Sequence, residues 1–430
     1  HLVNGEIAND LAISDEDKLF IEKQQRVVLR NCGLINPEKI EEGNSEHDII
    51  INGYQICQPN VISRSRKTPN LEELDQKTFV ENIENNLVIN LISKEVATGT
   101  YYIGNYALKS GQAVKSIEVG VDNNKAESDI VFINTLAQIG GYAVKQAYKE
   151  NKLEDSIKVK VDMTGALPIN QYTSTRAENF AKKFTDEIHI LNVEIPRKSV
   201  KVEIEFEFVK ILQEGISTTF ALETLDDKVF DEYNSKYDEK VEAYNIKLNK
   251  DYFKGSERRI LHIAIGEGTT EYPLTTGKKF DPNFIHGSNN GVGHGIDDSL
   301  DEFKEEIGVS TYSRQKFSEI IRDTSHKYHL SAKDILDFHL EKQSAEILKN
   351  AKREIERANN EVDMILVYGG GSILMRNTLE DKLENICNRA KMNLLYLDEA
   401  YAVTIECEGL YAFTNSKIFE VLKKKSTVKA

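Results

Sequence analysis

The chain has 430 residues, of which 40% are hydrophobic and 29% are charged, with 55 Lys and Arg against 70 Asp and Glu. This length allows about two or three domains, and the composition excludes a largely disordered chain. The net charge of −15 argues against nucleic-acid binding over the whole surface, because phosphate contacts need clustered cations. No apolar run reaches the roughly 18 residues of a transmembrane helix.

The cysteines and histidines predict neither a disulfide framework nor a zinc site. None of the four cysteines lies in a C-x-x-C pair, and the nine histidines contain no H-E-x-x-H pattern. Unpaired thiols are the ordinary state of cysteine in a reducing cytoplasm, and no signal peptide is recognisable. We therefore expect a cytoplasmic protein whose thiols are free, namely Cys32, Cys57, Cys387 and Cys407.

Hydrophobic periodicity predicts alternating strands and helices after a polar extension at residues 1–25. The predicted strands, in chain order, cover residues 26–29, 48–56, 81–95, 101–108, 157–163, 200–209, 259–265 and 364–367. The predicted helices cover residues 129–149, 176–184, 331–358 and 379–390, followed by a C-terminal helix with Lys423, Lys424 and Lys425 near its last turn. Interleaved strands and helices predict an α/β fold.

Two long segments differ in their hydrophobic pattern, one being regularly amphipathic and the other mainly charged. Residues 331–358 have the period of an amphipathic helix. Its predicted apolar face comprises Ile335, Phe338, Ile347, Leu348, Ala351 and Ile355. Residues 225–258 are charged and rich in tyrosine, with no glycine before Gly255. We interpret them as an inserted helical segment or a long loop between two more ordered halves.

A first glycine cluster follows the predicted strand 259–265. It comprises Gly266, Glu267, Gly268, Thr269 and Thr270. Glycine lets the backbone approach a phosphate closely, and successive N–H groups can form an anion-binding concavity. A G-x-G turn also fits a tight β-hairpin, so both interpretations stay open.

A second glycine cluster follows the predicted strand 364–367. It comprises Gly369, Gly370, Gly371 and Ser372. Three glycines after a buried strand let a flat ligand lie against the backbone, or let a strand and a helix pack closely. The cluster does not match the phosphate-binding pattern G-x-x-x-x-G-K-[ST].

The two clusters, on separate strand ends, resemble the phosphate and adenosine loops of the actin-like ATPase superfamily, which includes heat-shock chaperones and sugar kinases. Residues 164–172, followed by 176–184, resemble the "T-G-L-P-x-x-x-Y … F" stretch of the ParM-type plasmid-segregation actins. Residues 101–107 and 64–68 are similar to two shorter elements of that branch. The order and spacing of these elements match over residues 45–420.

The resemblance implies an actin-like, ribonuclease H-like fold in which a nucleotide cleft separates two domains. Domain I would comprise residues 26–214 and 400–430. Domain II would comprise residues 215–399, with the charged insertion at 225–258.

The resemblance also implies roles for single residues. Glu214 corresponds to the hinge residue that positions the attacking water. The cofactor-binding residues would be Asn31 and Gly33 in the first phosphate loop, with the two glycine clusters as the second phosphate loop and the adenosine loop. The implied cofactors are ATP or GTP with Mg²⁺, and we assign no metal-ligating residue.

Two positions depart from the family. Asn31 and Ala264 stand where the family has aspartates that serve Mg²⁺ and its bound waters. Loss of such a preorganised charge costs several kcal/mol of transition-state stabilisation. Three explanations stay open: slow hydrolysis, replacement by Glu267 or Glu271, or an altered sequence that traps one state.

The resemblance implies a filament-forming protein that polymerises head-to-tail and segregates plasmid DNA. Its partners would be further copies of itself and a DNA-binding adaptor on centromere-like DNA, with no direct contact to nucleic acid or membrane. The alternatives are a sugar or metabolite kinase of the same superfamily and a structural pseudo-ATPase that does not hydrolyse nucleotide.

Overall fold

The computed structural model describes most of the chain after residue 24. The described residues are 25–32, 46–116, 128–169, 171–238, 247–254, 257–266, 268–284, 286–312, 316–317, 320–321 and 323–427. The predicted extension at residues 1–25 lies outside them, apart from Gln25.

The strands of the described residues belong to two sheets. They are β1 Gln25–Cys32, β2 Glu46–Ile51, β3 Tyr54–Pro59, β4 Val61–Ser65, β5 Val88–Ile92, β6 Gly99–Ile103, β7 Lys115–Ser116, β8 Ser156–Leu167, β9 His189–Ile195, β10 Lys198–Gln213, β11 Arg259–Ile265, β12 Thr270–Glu271, β13 Leu274–Thr276, β14 Lys279–Phe280, β15 Gly287–Ser288, β16 Met364–Tyr368 and β17 Asn393–Tyr396.

The helices pack on the faces of these sheets. They are α1 Gln76–Glu81, α2 Gly104–Lys109, α3 Asp129–Lys149, α4 Ser174–Thr185, α5 Ile216–Ala221, α6 Asp227–Lys236, α7 Lys250–Phe253, α8 Val292–Glu306, α9 His329–Arg357, α10 Gly370–Ala390, α11 Glu399–Ala402, α12 Ile405–Thr414 and α13 Lys417–Thr427. The predicted α/β fold class is confirmed.

Both sheets are built on the same strand pattern. In the first sheet β1 pairs with antiparallel β2 on one side and with parallel β8 on the other, and β10 continues parallel to β8. In the second sheet β11 pairs with antiparallel β12 and β13 on one side and with parallel β16 on the other, and β17 continues parallel to β16. Each sheet therefore has an edge at which the carboxyl ends of three parallel strands meet, where α/β proteins usually bind ligands.

The core has a separate apolar cluster for each sheet face. Helices α3 and α4 cover the first sheet. Helices α8, α9 and α10 cover one face of the second sheet, and α5, α6 and α7 cover the other. Two glycines inside α3 allow close packing, because a Cβ at Gly140 would lie 2.7 Å from Leu191 Cδ1 and one at Gly141 would lie 3.0 Å from Leu87 Cδ1.

Several predicted elements agree with the structure and others do not. The helix at 129–149 and the strand at 259–265 have the predicted bounds. The single strand predicted at 48–56 is wrong, since β2 and β3 form a hairpin. Its turn is Asn52–Gly53, with φ of 51° and 84°, and Asn-Gly is the strongest sequence signal for such a turn.

The strands predicted at 81–95 and 101–108 are too long. Helix α1 occupies residues 76–81, because the Asp75 side chain accepts a hydrogen bond of 2.8 Å from the Thr78 N–H and caps the helix. Helix α2 begins directly after β6, and helix α10 begins at Gly370, within the second glycine cluster. Phe338 is also placed wrongly by the sequence, because its side chain is 64% exposed instead of buried.

The charged segment 225–258 contributes to the core. Its helices α6 and α7 pack Val229, Phe230, Tyr233 and Phe253 against the second sheet. The Asn234 side chain bonds both the carbonyl oxygen and the N–H of Leu248, at 2.8 and 2.9 Å. This segment therefore covers an apolar sheet face, and its removal would expose that face to water.

Candidate functional site

The first glycine cluster forms the turn between β11 and β12. The Gly266 N–H donates to the Thr269 carbonyl oxygen at 2.9 Å, and β12 pairs back on β11, so the β-hairpin interpretation is confirmed. Helix α8 starts against this turn, because the Val292 N–H donates to the Gly266 carbonyl oxygen at 3.1 Å. The Thr270 hydroxyl donates to the Asn290 carbonyl oxygen at 2.9 Å, while Thr269 is half-buried.

The second glycine cluster lies directly against the first. Gly369 has φ of 94°, and a Cβ there would lie 2.3 Å from the Ile265 carbonyl oxygen. A Cβ at Gly371 would lie 2.6 Å from Ile265 Cγ2 and 2.9 Å from the Gly266 carbonyl oxygen. The clusters meet because they follow neighbouring parallel strands, β11 and β16.

The beginning of α10 is held by buried hydrogen bonds. The Ser372 hydroxyl donates to the Gly369 carbonyl oxygen at 2.7 Å, and the Tyr396 hydroxyl donates to the Ser372 carbonyl oxygen at 2.6 Å. Ser372 is fully buried, so its side chain orders the loop from within. The close strand–helix packing that the sequence allowed is thus present, with Gly370 as the first residue of α10.

Glu214 lies where the first sheet passes to α5. Its N–H donates to the Leu167 carbonyl oxygen at 2.9 Å, at the carboxyl edge of the sheet, and its side chain is half-buried. The next residue, Gly215, has φ of 89°, and its N–H donates to the buried Glu406 carboxylate at 3.0 Å. A Cβ at Gly215 would lie 2.7 Å from the Cγ of Pro273, which connects β12 and β13 of the second sheet. Glu214 therefore lies at the junction of the two sheets, at the position that the sequence analysis assigned to a hinge.

Glu271 is a buried carboxylate at the same junction. Its Oε2 accepts a hydrogen bond of 3.3 Å from the Ile169 N–H, which lies just beyond β8. In the second sheet Glu271 stands directly opposite Ala264. Opposed residues of antiparallel strands project to the same face, with Cβ atoms about 5 Å apart. The Glu271 side chain therefore leaves the sheet on the same face as the side chain of Ala264.

The predicted first phosphate loop lies only partly within the described residues. Asn31 lies in β1, where it is paired with His47, near the carboxyl end of the strand. Gly33 and Glu267 lie outside the described residues. The structure thus brings together both glycine clusters and Glu214, and it places the end of β1 at the same sheet edge as the end of β8.

The buried His262 of β11 connects the second sheet to helix α5, which follows Glu214 and Gly215. The Thr218 hydroxyl donates to the Gly215 carbonyl oxygen at 2.6 Å and lies 3.1 Å from His262 Nδ1, while His262 Nε2 lies 2.9 Å from the Thr275 hydroxyl. We infer that Nδ1 carries the proton, because the single Thr218 hydroxyl proton is already donated. Burial lowers the pKa of His262 to about 3.

We expect this histidine to make stability depend on pH. Below its ordinary pKa the unfolded chain binds a proton that the folded protein excludes, so the free energy of unfolding falls as pH falls. The loss is up to about 1.4 kcal/mol per pH unit. Denaturant titrations between about pH 6 and pH 5 should show a shallower pH slope for His262→Gln than for the unaltered protein. An identical slope would contradict this prediction.

Sequence reasoning missed the residues that contact Gly215 and helix α5. Glu406, Gly409 and His262 received no role, although a glycine inside an otherwise helical segment, as at Gly409, is a known signal of close packing. A Cβ at Gly409 would lie 1.9 Å from the Ser217 carbonyl oxygen, so α12 crosses α5 at backbone contact. These two helices lie between the sheets, and their contact sets how the sheets meet.

Neither a metal cage nor a membrane-spanning helix occurs in the part of the chain that the structure describes. Within those ranges, no three His, Cys, Asp or Glu side chains come together as a metal site. Mg²⁺ in nucleotide sites is commonly held by one or two carboxylates together with phosphate oxygens, so a single acid such as Glu271 fits that kind of ligation. None of the described helices is long and apolar enough to cross a bilayer.

The fold is similar to that of solved actin-like proteins. The actin-like protein Alp7A aligns over 94% of this chain and 98% of its own, with a TM-score of 0.61 and 17% identity. Ta0583, an archaeal actin homolog, aligns over 91% and 99%, with a TM-score of 0.60 and 14% identity. A Bacillus thuringiensis ParM solved with ATP aligns over 92% and 99%, with a TM-score of 0.53 and 14% identity.

At these identities the likeness concerns the fold. No family model and no curated protein matches the sequence. The chain has the actin-like fold, and the resemblance to ParM-type actins inferred from the motifs is confirmed at that level.

Proposed function

We propose that this protein binds a nucleoside triphosphate between its two sheets and assembles into filaments that segregate plasmid DNA. The observation that carries the proposal is the meeting of the two glycine clusters at the ends of β11 and β16, beside the hinge that carries Glu214. The actin-like fold supports it, and one protein of similar structure was solved with ATP.

The proposed nucleotide contacts follow the geometry of the two clusters. The turn at 266–270 would offer backbone N–H groups and the half-buried Thr269 to the phosphates of ATP or GTP. The loop at 369–372 has no side chain until its buried serine, so a base or ribose can lie against its backbone. Asn31 and Gly33 would contribute from the first sheet.

We propose that Glu271 supplies the carboxylate that ParM-type actins have at the position of Ala264. Bound Mg²⁺ would neutralise phosphate charge, which carries most of the catalysis in phosphoryl transfer. The Glu271 carboxylate is suited to that ion or its waters, because it leaves the sheet beside Ala264 at the junction of the two sheets. Glu214 would orient the attacking water from the hinge.

Bound nucleotide would favour an arrangement in which the two sheets are held closed against each other. The hydrogen bond from Ile169 to Glu271 joins them directly, so a ligand that binds both sheets favours the closed arrangement. We propose that this closed form polymerises and that hydrolysis weakens the polymer. We further propose domains of 26–214 with 400–430 and of 215–399, a cytoplasmic location, and a DNA-binding adaptor as partner.

The first test is sedimentation with and without ATP, GTP and Mg²⁺, with phosphate release measured in the same samples. We expect nucleotide-dependent polymer. Glu214→Gln and Glu271→Gln should each slow phosphate release by about 100-fold, the usual effect of removing one preorganised catalytic group. Both variants should still form polymer, because each exchange preserves the size of the side chain.

Two results would contradict the proposal. One is the absence of sedimentable polymer at saturating nucleotide, with protein well above micromolar concentration. The other is phosphate transfer that requires an added sugar or alcohol, which would favour a kinase of the same superfamily. If both variants form polymer and release phosphate at the unaltered rate, the filament proposal stands. The proposed roles of Glu214 and Glu271 in hydrolysis would then be wrong.

A further inference from the structure

Helices α8 and α9 carry a face that is both acidic and apolar. Helix α8 has six exposed acids, namely Asp297, Asp298, Asp301, Glu302, Glu305 and Glu306. Next to it, α9 exposes Leu330 (75%), Asp334 and Phe338 (64%) at intervals of four residues, which places them on one stripe. Hydrogen bonds join the two helices, with Glu302 2.7 Å from His339 Nε2 and Glu306 bonded to Ser331. We call these α8 and α9 residues the acidic face.

The C-terminal helix carries a face of opposite charge. In α13, Ile418 and Val421 are 47% and 49% exposed. They lie among the exposed lysines Lys417, Lys424 and Lys425. The other side of the helix packs Phe419 against Phe208, and Lys423 bonds Asp162 and Glu207, both at 2.8 Å. We call the exposed residues of α13 the basic face.

The two faces are attached to different sheets. Gln343 of α9 bonds Asn290 beside the glycine turn, and the helix continues for 14 residues to His329, about 21 Å beyond the turn at 1.5 Å per residue. In the first sheet, Lys423 bonds Asp162, which precedes the end of β8 at Leu167 by about 16 Å of strand. The acidic face therefore belongs to helices of the second sheet, and the basic face belongs to a helix of the first sheet.

We propose that the acidic face of one molecule docks on the basic face of a second copy. This inference rests on the proposed filament function and names its longitudinal contact. Each face combines two exposed apolar side chains with an excess of exposed charges of one sign, and the two signs are complementary. The partly exposed Lys304 and Lys333 of α8 and α9 are each paired with an acid, Asp301 and Asp337. An apolar centre within a charged rim is the usual composition of a protein interface.

The arrangement also accounts for an open polymer. Because the two faces differ, the contact is heterologous and each added molecule presents a free face for the next one. The net charge of −15 makes association of two copies repulsive overall, so a local cationic patch is needed at the contact.

Two charge-reversal variants test the pairing. Variant A carries Lys417→Glu and Lys425→Glu on the basic face, and variant B carries Asp301→Lys and Glu305→Lys on the acidic face. With nucleotide, each variant alone should show a critical concentration at least about tenfold higher than the unaltered protein, because like charges then face each other. An equimolar mixture should polymerise again, since A and B can alternate with complementary contacts throughout.

A control variant separates this pairing from a general effect of charge. Lys149→Glu with Lys182→Glu makes the same change in net charge as variant A, on exposed lysines of α3 and α4 outside both faces. It should polymerise like the unaltered protein. Thermal unfolding and nucleotide affinity of all three variants should match the unaltered protein, which shows that they fold.

The outcomes distinguish the two proposals. Normal polymer from A or B alone, or no recovery in the mixture, would overturn the pairing of these faces and leave the filament proposal standing. Loss of adaptor binding in A, with polymer intact, would assign the basic face to the adaptor instead. No polymer from the unaltered protein would overturn both proposals.

Discussion

Replacing Gly409 by alanine is expected to lower the free energy of unfolding by about 3 kcal/mol or more. Inside a helix this exchange ordinarily stabilises by about 1 kcal/mol. Here the added Cβ would lie 1.9 Å from the Ser217 carbonyl oxygen and 2.4 Å from the Ser217 carbonyl carbon, so two helices must separate. Overpacking costs about 1–3 kcal/mol and occasionally more, and a backbone obstacle cannot rotate away as a side chain can. Urea unfolding measures the difference.

The same exchange at Gly287 serves as the control. A Cβ there would meet Glu271 Cγ at 3.7 Å, which is ordinary contact, so Gly287→Ala should change stability by less than about 1 kcal/mol. A Gly409→Ala protein as stable as the unaltered one would mean that α5 and α12 do not cross at backbone contact. Because α5 follows the hinge, we also expect weaker nucleotide binding in Gly409→Ala.

Replacing Gly369 by alanine is expected to weaken nucleotide binding by at least about tenfold and to destabilise the protein. Two costs add at this position. A non-glycine residue at φ of 94° costs about 1–3 kcal/mol. The added Cβ would lie 2.3 Å from the Ile265 carbonyl oxygen, which pushes the two glycine clusters apart. Titration with a fluorescent nucleotide measures the first effect and urea unfolding the second.

Ser372→Ala is the matched control in the same loop. It removes one buried hydrogen bond to the Gly369 carbonyl oxygen, worth about 1 kcal/mol, and adds no atom. It should therefore change nucleotide affinity much less than Gly369→Ala does. If Gly369→Ala binds nucleotide as tightly as the unaltered protein, the second glycine cluster is not part of the nucleotide site.

Local patterns predicted the parts of the site but not their contacts. The apolar strands at 259–265 and 364–367 were evident in the sequence, and each was seen to end in glycines. That the clusters touch, with Gly369 against Ile265, follows from the parallel pairing of β11 with β16, which joins residues about a hundred positions apart.

Other errors came from the limits of periodicity. Phe338 fits the helical period of the apolar face, yet it is exposed, because an apolar side chain is buried only where another element covers it. The 225–258 segment is charged enough to suggest a solvated insertion, yet its few apolar side chains complete the core of the second sheet. The hairpin at Asn52–Gly53 was predictable from its turn residues and was missed.

The sequence by itself determined the class of the elements, the glycine turns that end β11 and β16, and the uncharged side chains at Asn31 and Ala264. It could do so because strand and helix periods, turn residues and side-chain chemistry are local properties. Only the tertiary structure decided that Glu271 stands opposite Ala264 and bonds Ile169, that Glu406 accepts a hydrogen bond from Gly215, and that α8 and α13 pack on different sheets. These relations join residues distant in the chain, and they depend on which surfaces the packed elements bury and which they leave in water.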